Sequence, residues 1–325
     1  MAKELGVSVA TVSFALRDDV RIAAGTRARV KALAVERGYH ADPVVAEGMS
    51  RARRRVFYRE TVAWLMDRPP QEQPWVEKLF EGAAERGRIL GYRIEFFVAD
   101  FKDREALKRL ARVWKARGIR GVLVGPLNQG LADPALPWED FSWVTIGQSL
   151  ISPPLHRVGR DYDKDINLAL GRLHALGCRR PGFINEPAMN HLMKQALLRV
   201  ALVYYHERAD PFAEAFYAVE PARPDALASW LERNRPDSLV VGLGFKRCEK
   251  AIHALIAHLP HVELSQPYDE AHVQEGFIPN YTGMGRSAIS LLHHALIEEE
   301  KGIPRCEQTV VVSSGWGMTA SEPVR

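Results

Sequence analysis

The stretch that most narrows what this chain can be lies at its front: Gly6-Val7-Ser8-Val9-Ala10-Thr11-Val12-Ser13-Phe14-Ala15-Leu16. A glycine can turn the backbone sharply after a short opening segment. Ser8 comes next as a natural N-cap, because its hydroxyl can accept from the free amides of the next turn. Beyond it, Val9, Val12, Ala15 and Leu16 recur at helical spacing and can face a small core. Ala10, Thr11, Ser13, Phe14 and Arg17 are left on the outside. The stretch predicts the turn and second helix of a helix-turn-helix. A short, nearly uncharged helix surface of small hydroxyl residues can enter a major groove without colliding with phosphates.

The residues beyond this helix favour that reading over an ordinary amphipathic helix. Thr26 to Arg37 predicts another helix with Val30, Leu33 and Ala34 inward, closed by Gly38. After Tyr39 comes a basic run ending in Arg51, Arg53, Arg54 and Arg55. Residues 1–60 hold 12 Lys and Arg against 7 Asp and Glu, a net +5, whereas the whole chain is only +4. The remaining body is therefore close to neutral. The excess positive charge sits where a polyanion-binding segment needs it.

On the residues Gly6 to Ser13, Thr26-Arg27-Ala28-Arg29-Val30 and Gly38-Tyr39, the chain resembles the lactose-repressor (LacI) family of bacterial transcription regulators. The resemblance implies a helix-turn-helix headpiece over 1–40, a hinge over 41–59 and a two-lobed effector-binding and dimerisation domain over 60–325. In the family, two residues after the Ser8 equivalent and one four further on contact base edges. Here these are Val9, Ala10 and Phe14. Relatives commonly carry Arg at the last position, and Phe14 cannot make the bidentate guanine contact of an arginine. It packs either on thymine methyls or into the core. Thr11, Ser13, Arg17, Arg27 and Arg29 are expected to meet phosphates, and Ser8 is counted with them among the DNA-binding residues.

Met1 to Leu5 supply only about one turn of the first helix, where family headpieces have more. In the hinge, Asp42-Pro43 breaks the preceding helix. Met49 is the candidate for an apolar wedge in a minor-groove step, with Arg51, Arg53, Arg54 and Arg55 on phosphates. A solvated basic linker is the alternative.

From Thr61 onward strands alternate with helices, which predicts parallel sheets covered on both faces. The expected strands are 61–66, 92–98, 121–124 and 143–146, then a second round opening at 157–161 with strands 180–185, 215–219 and 238–242. The helix 284–300 and the strand 309–313 are expected to return and complete the first lobe. The resemblance implies the periplasmic-binding-protein-like architecture, with a ligand in the cleft between lobes. Carried over by position, Asp67, Gln73, Trp75, Gln148, Asp161, Lys194 and Asp269, with Glu270 the alternative at the last position, are the effector-site candidates. Lys194 stands where relatives carry Arg, and Leu243-Gly244 where they carry Asn-Asp. These departures put an ordinary sugar effector in question. Surfaces after Trp75 and near Met284 are where family dimers meet.

Other classes find no support. There is no P-loop, nucleophile elbow or His-Glu-x-x-His motif, so neither an enzyme nor a bound cofactor is expected. His293 and His294 are neighbours on a helix and point apart. Cys178, Cys248 and Cys306 lack metal-ligand spacing and suit reduced thiols in a cytoplasmic protein. No apolar run approaches the roughly 18 residues of a membrane span. The expectation is a homodimeric repressor of double-stranded operator DNA, governed by a small molecule such as a carbohydrate. The alternatives are an effector-independent regulator with a degenerate cleft and a sugar-binding protein that is not exported.

Overall fold

A computed structural model describes residues 2, 4–16, 21–37, 60–72, 74–190, 192–193, 195–208, 214–244, 248, 250–264 and 275–318. The chain divides into two compact units, Met1–Phe57 and Tyr58–Arg325.

In the first unit, α1 (Val9–Leu16) starts where Ser8 accepts from the Thr11 amide at 3.0 Å. The Ser8 carbonyl takes the next amide, that of Val12, at 3.1 Å. Gly6 sits at φ +66, the left-handed turn its lack of a Cβ permits. The second helix, α2 (Ala24–Glu36), begins two residues earlier than the periodicity suggests. Val12, Ala15 and Val30 form the core of this unit, with Ala2, Leu5, Val7, Leu16 and Ile22 packed on it. No helix forms over residues 2–5 in the described part: Val7 N–H donates to Ala2 O in a turn. A core this small leans on its cap. Ser8→Ala should cost about 1 kcal/mol, read as loss of helical signal from α1 and α2 on thermal melting.

The second unit holds two parallel sheets. The larger orders its strands β13 (Thr309–Val312), β7 (His156–Arg160), β5 (Ser142–Ile146), β3 (Gly121–Val124), β1 (Glu60–Met66) and β2 (Tyr92–Val98). Strand β1 shows how both faces are buried. Val62, Trp64 and Met66 point to one core, and Ala63 and Leu65 to the other, as the period of two dictates. The first core is closed by α3 (Pro74–Leu90) and α10 (Tyr281–Ile297), the second by α4 (Arg104–Ala116). The smaller sheet runs β11 (His261–Glu263), β10 (Ser238–Val241), β8 (Pro181–Asn185), β9 (Phe216–Ala218). It is covered on one face by α5 (Tyr162–Ala175) and α7 (Ala196–Glu207). The short α6 (Pro187–Asn190) precedes α7, and α8 (Pro224–Asn234) and α9 (Lys250–Ile256) cover the other face. As a separate ribbon, β12 (Glu275–Ile278) and β14 (Gly315–Met318) pair antiparallel, and Trp316 of β14 packs against the core of the small sheet. A two-residue strand β4 (Leu131–Ala132) also pairs with β6 (Leu150–Ser152).

The expected return to the first lobe is present: α10 fills its core, and β13 pairs with β7 from Thr309↔Arg157 to Val312↔Arg160. The expectation that 157–161 opens the second lobe is corrected. This strand lies inside the large sheet between β5 and β13, because its continuously buried backbone is hydrogen-bonded on both sides there. The crossing to the small lobe comes only with α5. Met284 itself is buried in the core between α3 and α10.

Helices α3 and α10 lie unusually close. A Cβ on Gly285 would overlap the Leu79 carbonyl oxygen, and one on Gly82 would overlap the Thr282 carbonyl oxygen. Backbone touches backbone at both points, so nothing larger than hydrogen fits either position.

Candidate functional site

Strand order places Asp67, Gln148 and Asp161 on one rim. They come just after β1, β5 and β7 of the same parallel sheet, at the carboxyl ends where such sheets gather ligands. Asp67 Oδ2 accepts from the Asn128 amide at 2.8 Å, and Arg68 Nε stands 3.6 Å from Oδ1. Trp75, at the start of α3, lies against Tyr281 at the start of α10, with ring centroids 5.5 Å apart. Asp161 is the N-cap of α5, its Oδ1 accepting from the Lys164 amide at 3.1 Å. The carboxylate thus shapes the rim as well as facing it, a double use that position along the chain does not reveal. Gln73, Lys194 and Asp269 lie outside the described residues.

The rim is held by a strand of buried bases. Arg157 donates from Nη1 to the Gly147 carbonyl at 2.5 Å and from Nη2 to that of Leu150 at 2.8 Å, fixing the loop that carries Gln148. Burial pulls its guanidinium below the usual arginine range. His156 is equally buried. The Gln308 amide donates to its Nδ1 at 3.0 Å, so the proton sits on Nε2 and points at Glu300 Oε2, 2.8 Å away.

The third base, Arg160, links the lobes. Its Nε donates to Asp165 Oδ2 at 2.5 Å, and its Nη2 to the Leu264 carbonyl at 2.8 Å. Arg160 and Asp165 side chains are only 4% and 1% exposed. Ser314 completes the carboxylate, its amide donating to Oδ1 at 3.2 Å and its hydroxyl to Oδ2 at 2.9 Å. Arg160 ends β7, Asp165 opens α5, Ser314 comes after β13 and Leu264 after β11. One ion pair therefore joins the large sheet, two crossings and the carboxyl rim of the small sheet. Arg160 lies over the Tyr162 ring at 5.2 Å. Burial pushes the Tyr162 hydroxyl up to about 12 and raises Tyr281 as well, so both flank the pair as neutral phenols. No local signal in the sequence singles out Arg160, Asp165 or Ser314. The run Arg160-Asp161-Tyr162-Asp163-Lys164-Asp165 reads as a solvated junction, and its pairing spans a strand end and a helix start.

On the small sheet, Asn185 and Glu186 are buried at the carboxyl end of β8. The Glu186 carboxylate occupies the space a side chain at Gly244 would need, which is why glycine stands there. Among the described residues no group of three or more His, Cys, Asp or Glu is placed to hold a metal. His293 packs on Tyr92, its Nδ1 2.8 Å from the phenol oxygen.

In the first unit, Ser8 and Thr11 hydroxyls lie 2.9 Å apart at the start of α1. Phe14 is half-buried, and the described core of this unit is built from other residues. Arg27 donates to the Ile22 carbonyl at 2.5 Å, bracing the turn between the helices. The side chains of Val9, Ala10 and Ser13 lie outside the described residues, as do Arg17, Met49, Arg51, Arg53, Arg54 and Arg55. So do Gly38 and the hinge.

Residues 1–42 match the family model for bacterial regulatory proteins of the lacI family. Over those residues the chain is similar to the DNA-binding domain of that family. Regulators of that family are non-enzymatic transcription factors. A comparison with curated protein sequences gives no match. Solved structures share the fold over most or nearly all of the chain. The transcriptional regulator CelR in complex with cellobiose is 17% identical, with 98% of this chain and 97% of that chain covered and a TM-score of 0.58. The lac repressor dimer bound to operator and the anti-inducer ONPF is 14% identical over 97% and 95%, with a TM-score of 0.52. A LacI-family regulator from Enterococcus faecium with bound ribose is 12% identical over 79% and 97%, at 0.54. At these identities the likeness establishes the fold: a lacI-family headpiece followed by a two-lobed, periplasmic-binding-protein-like body. Among the described residues no helix is long and apolar enough to cross a membrane.

Proposed function

We propose that this regulator is a cytoplasmic repressor that binds pseudo-palindromic operator DNA as a homodimer and is released or tightened by a small polyhydroxylated molecule, a sugar, held between the two lobes. The headpiece spans 1–40, with Ser8, Val9, Ala10, Thr11, Ser13, Phe14, Arg17 and Arg27 toward the operator. The hinge spans 41–59, with Met49 in the minor groove and Arg51, Arg53, Arg54 and Arg55 on phosphates. The body spans 60–325, with Asp67, Gln73, Trp75, Gln148, Asp161, Lys194 and Asp269 toward the effector. The observation that carries the effector reading is the contact of Arg160 with Leu264, which brings the carboxyl rims of the two sheets to one crossing. Carboxylates and an amide beside an aromatic pair offer hydroxyl acceptors and an apolar platform, the lining a sugar ring requires. An effector acts only by its difference in affinity for two lobe arrangements.

A second reading is an effector-independent regulator. It is favoured by the work Asp67 and Asp161 already do inside the fold, capping an amide each.

One set of measurements decides between them. Binding of the full chain to selected duplexes should weaken steeply with salt, log K falling by about 0.9 per phosphate contact. A panel of mono- and disaccharides should then include one that raises the melting temperature, a ligand at a hundred times its Kd giving about 2.7 kcal/mol. Asp67→Asn should abolish that shift and leave DNA binding in its absence unchanged. Equal duplex affinity at low and high salt overturns the DNA reading. A panel without any shift favours the second reading.

A further inference from the structure

Nothing in its own chain explains Gly171. It lies inside α5, where glycine is a weaker helix former than alanine. The other glycines in helices of the body, Gly82, Gly87, Gly283 and Gly285, each have a neighbour where a Cβ would stand. At Gly171 nothing lies within 4 Å. The missing side chain instead deepens a groove of about 450 Å³ between α5 and α7, floored by Leu170 on one side and by Val200 and Val203 on the other. His174 of α5 and Tyr204 of α7 join the two walls, Nε2 and hydroxyl 2.7 Å apart, so the width of the groove is fixed. Along the outer ridge of α7, Leu202 and Val203 are 61% and 56% exposed. A hollow and an aliphatic ridge thus lie side by side on one face of the small lobe.

We infer that this face pairs with the same face of a second copy of the chain, the Leu202–Val203 ridge of each entering the Gly171 groove of the other. A two-fold contact is made by one surface meeting itself, so it needs the knob and the hole on the same patch. The charges choose the occupant. Asp163 and Arg199 pair at 3.0 Å on one part of the groove wall, and Glu207 and Arg208 stand together where α7 ends. Arg208 is held there by the Tyr204 ring, 3.7 Å below its guanidinium, and by the Tyr204 carbonyl at 3.0 Å. Two carboxylates balance two guanidiniums, so the rim has no net pull on a nucleic acid or a strongly charged peptide. Both signs are present at both places, which makes the rim complementary to a copy of itself turned through a half circle. Glycine at the floor lets the incoming side chains approach the α5 backbone closely. The face uses neither α3 nor α10. Taken with the homodimer proposed above, it joins two dimers into a tetramer, and the pairing itself needs no DNA.

The experiment is sedimentation equilibrium of the full-length chain, without DNA, over a rising series of concentrations. Wild type should reach twice the mass at which the variants stop. Gly171→Leu fills the hollow, where the fold leaves room for it, and Val203→Asp puts a charge on the ridge. Each should raise the dissociation constant of the doubling step roughly tenfold or more. Gly171→Ala should weaken that step less, and should raise the melting temperature of the separated species, because a methyl in open space favours the helix. Melting curves confirm that each variant is folded; should Val203→Asp fail to fold, Gly171→Leu decides alone. A wild-type mass that never exceeds that of Gly171→Leu overturns the inference. A groove kept for a peptide of another protein or for a small ligand gives that result. Doubling that Gly171→Leu leaves at wild-type strength overturns it too, since the contact then lies elsewhere. Failure to bind any duplex would sink the DNA reading and leave these masses as they are.

Discussion

Replacing Arg160 by methionine should destabilise the two-lobed body by about 3–5 kcal/mol, because it leaves the Asp165 carboxylate buried without its cation. Asp165→Leu should cost a similar amount from the other side. The double variant is the informative one. With both charges gone the desolvation penalty disappears too, so its stability should return well above that of either single variant, short of wild type by the donors of Ser314 and the carbonyl of Leu264 left behind. Urea unfolding midpoints measure all three. Stability and control then separate. The double variant keeps a folded body yet lacks the polar connection between β7 and the end of β11, so saccharide-induced changes in duplex affinity should shrink while affinity without saccharide persists. Two singles that each cost under 1 kcal/mol would mean the pair is solvated in the protein and does not tie the lobes.

Gly285→Ala should be the most damaging single methyl in the large lobe. The added carbon overlaps a main-chain oxygen of α3, which cannot rotate away as a side chain can. Helices α3 and α10 must separate, and the packing of Leu79, Ala83, Ala288 and Leu292 loosens with them. Overpacking costs about 1–3 kcal/mol as a rule, and backbone overlap belongs at or beyond the top of that range. Gly82→Ala should behave alike. Gly171→Ala is the control: it lies in α5 with open space around it, and alanine there should stabilise by up to about 1 kcal/mol through helix propensity. Thermal melts of the three variants side by side would settle it. Equal melting temperatures for Gly285→Ala and wild type would refute the close approach.

Much of this architecture is legible in the residues because it arises from short-range periodicity. Val62, Trp64 and Met66 alternate with Ala63 and Leu65, and that alone says strand, buried on both faces. Ser8 announces a helix start by chemistry that operates over three residues. Legibility ends where meaning depends on distant partners. The strand His156–Arg160 carries three basic residues and is buried throughout. Each base is satisfied by groups that sequence cannot bring to it: Gln308 and Glu300, the carbonyls of Gly147 and Leu150, or Asp165 and Leu264. Read locally, such a segment looks like the opening of a new lobe. The same limit applies to Phe14. Its type suggests a buried ring, and only the turn that returns Arg21 above it says otherwise.

The route of the chain through its two sheets also orders its birth on the ribosome. The small lobe is made of neighbours, from α5 at Tyr162 to β11 at Glu263, and can close as soon as that stretch has emerged. The large lobe is begun first but lacks α10 and β13 until residues 281–312 have been made. Until then the apolar faces of Val144, Ile146 and Val158 have no α10 to cover them. A nascent chain stalled before residue 281 therefore presents a finished inner lobe hung on an unfinished outer one, the species that holdase chaperones exist to shield.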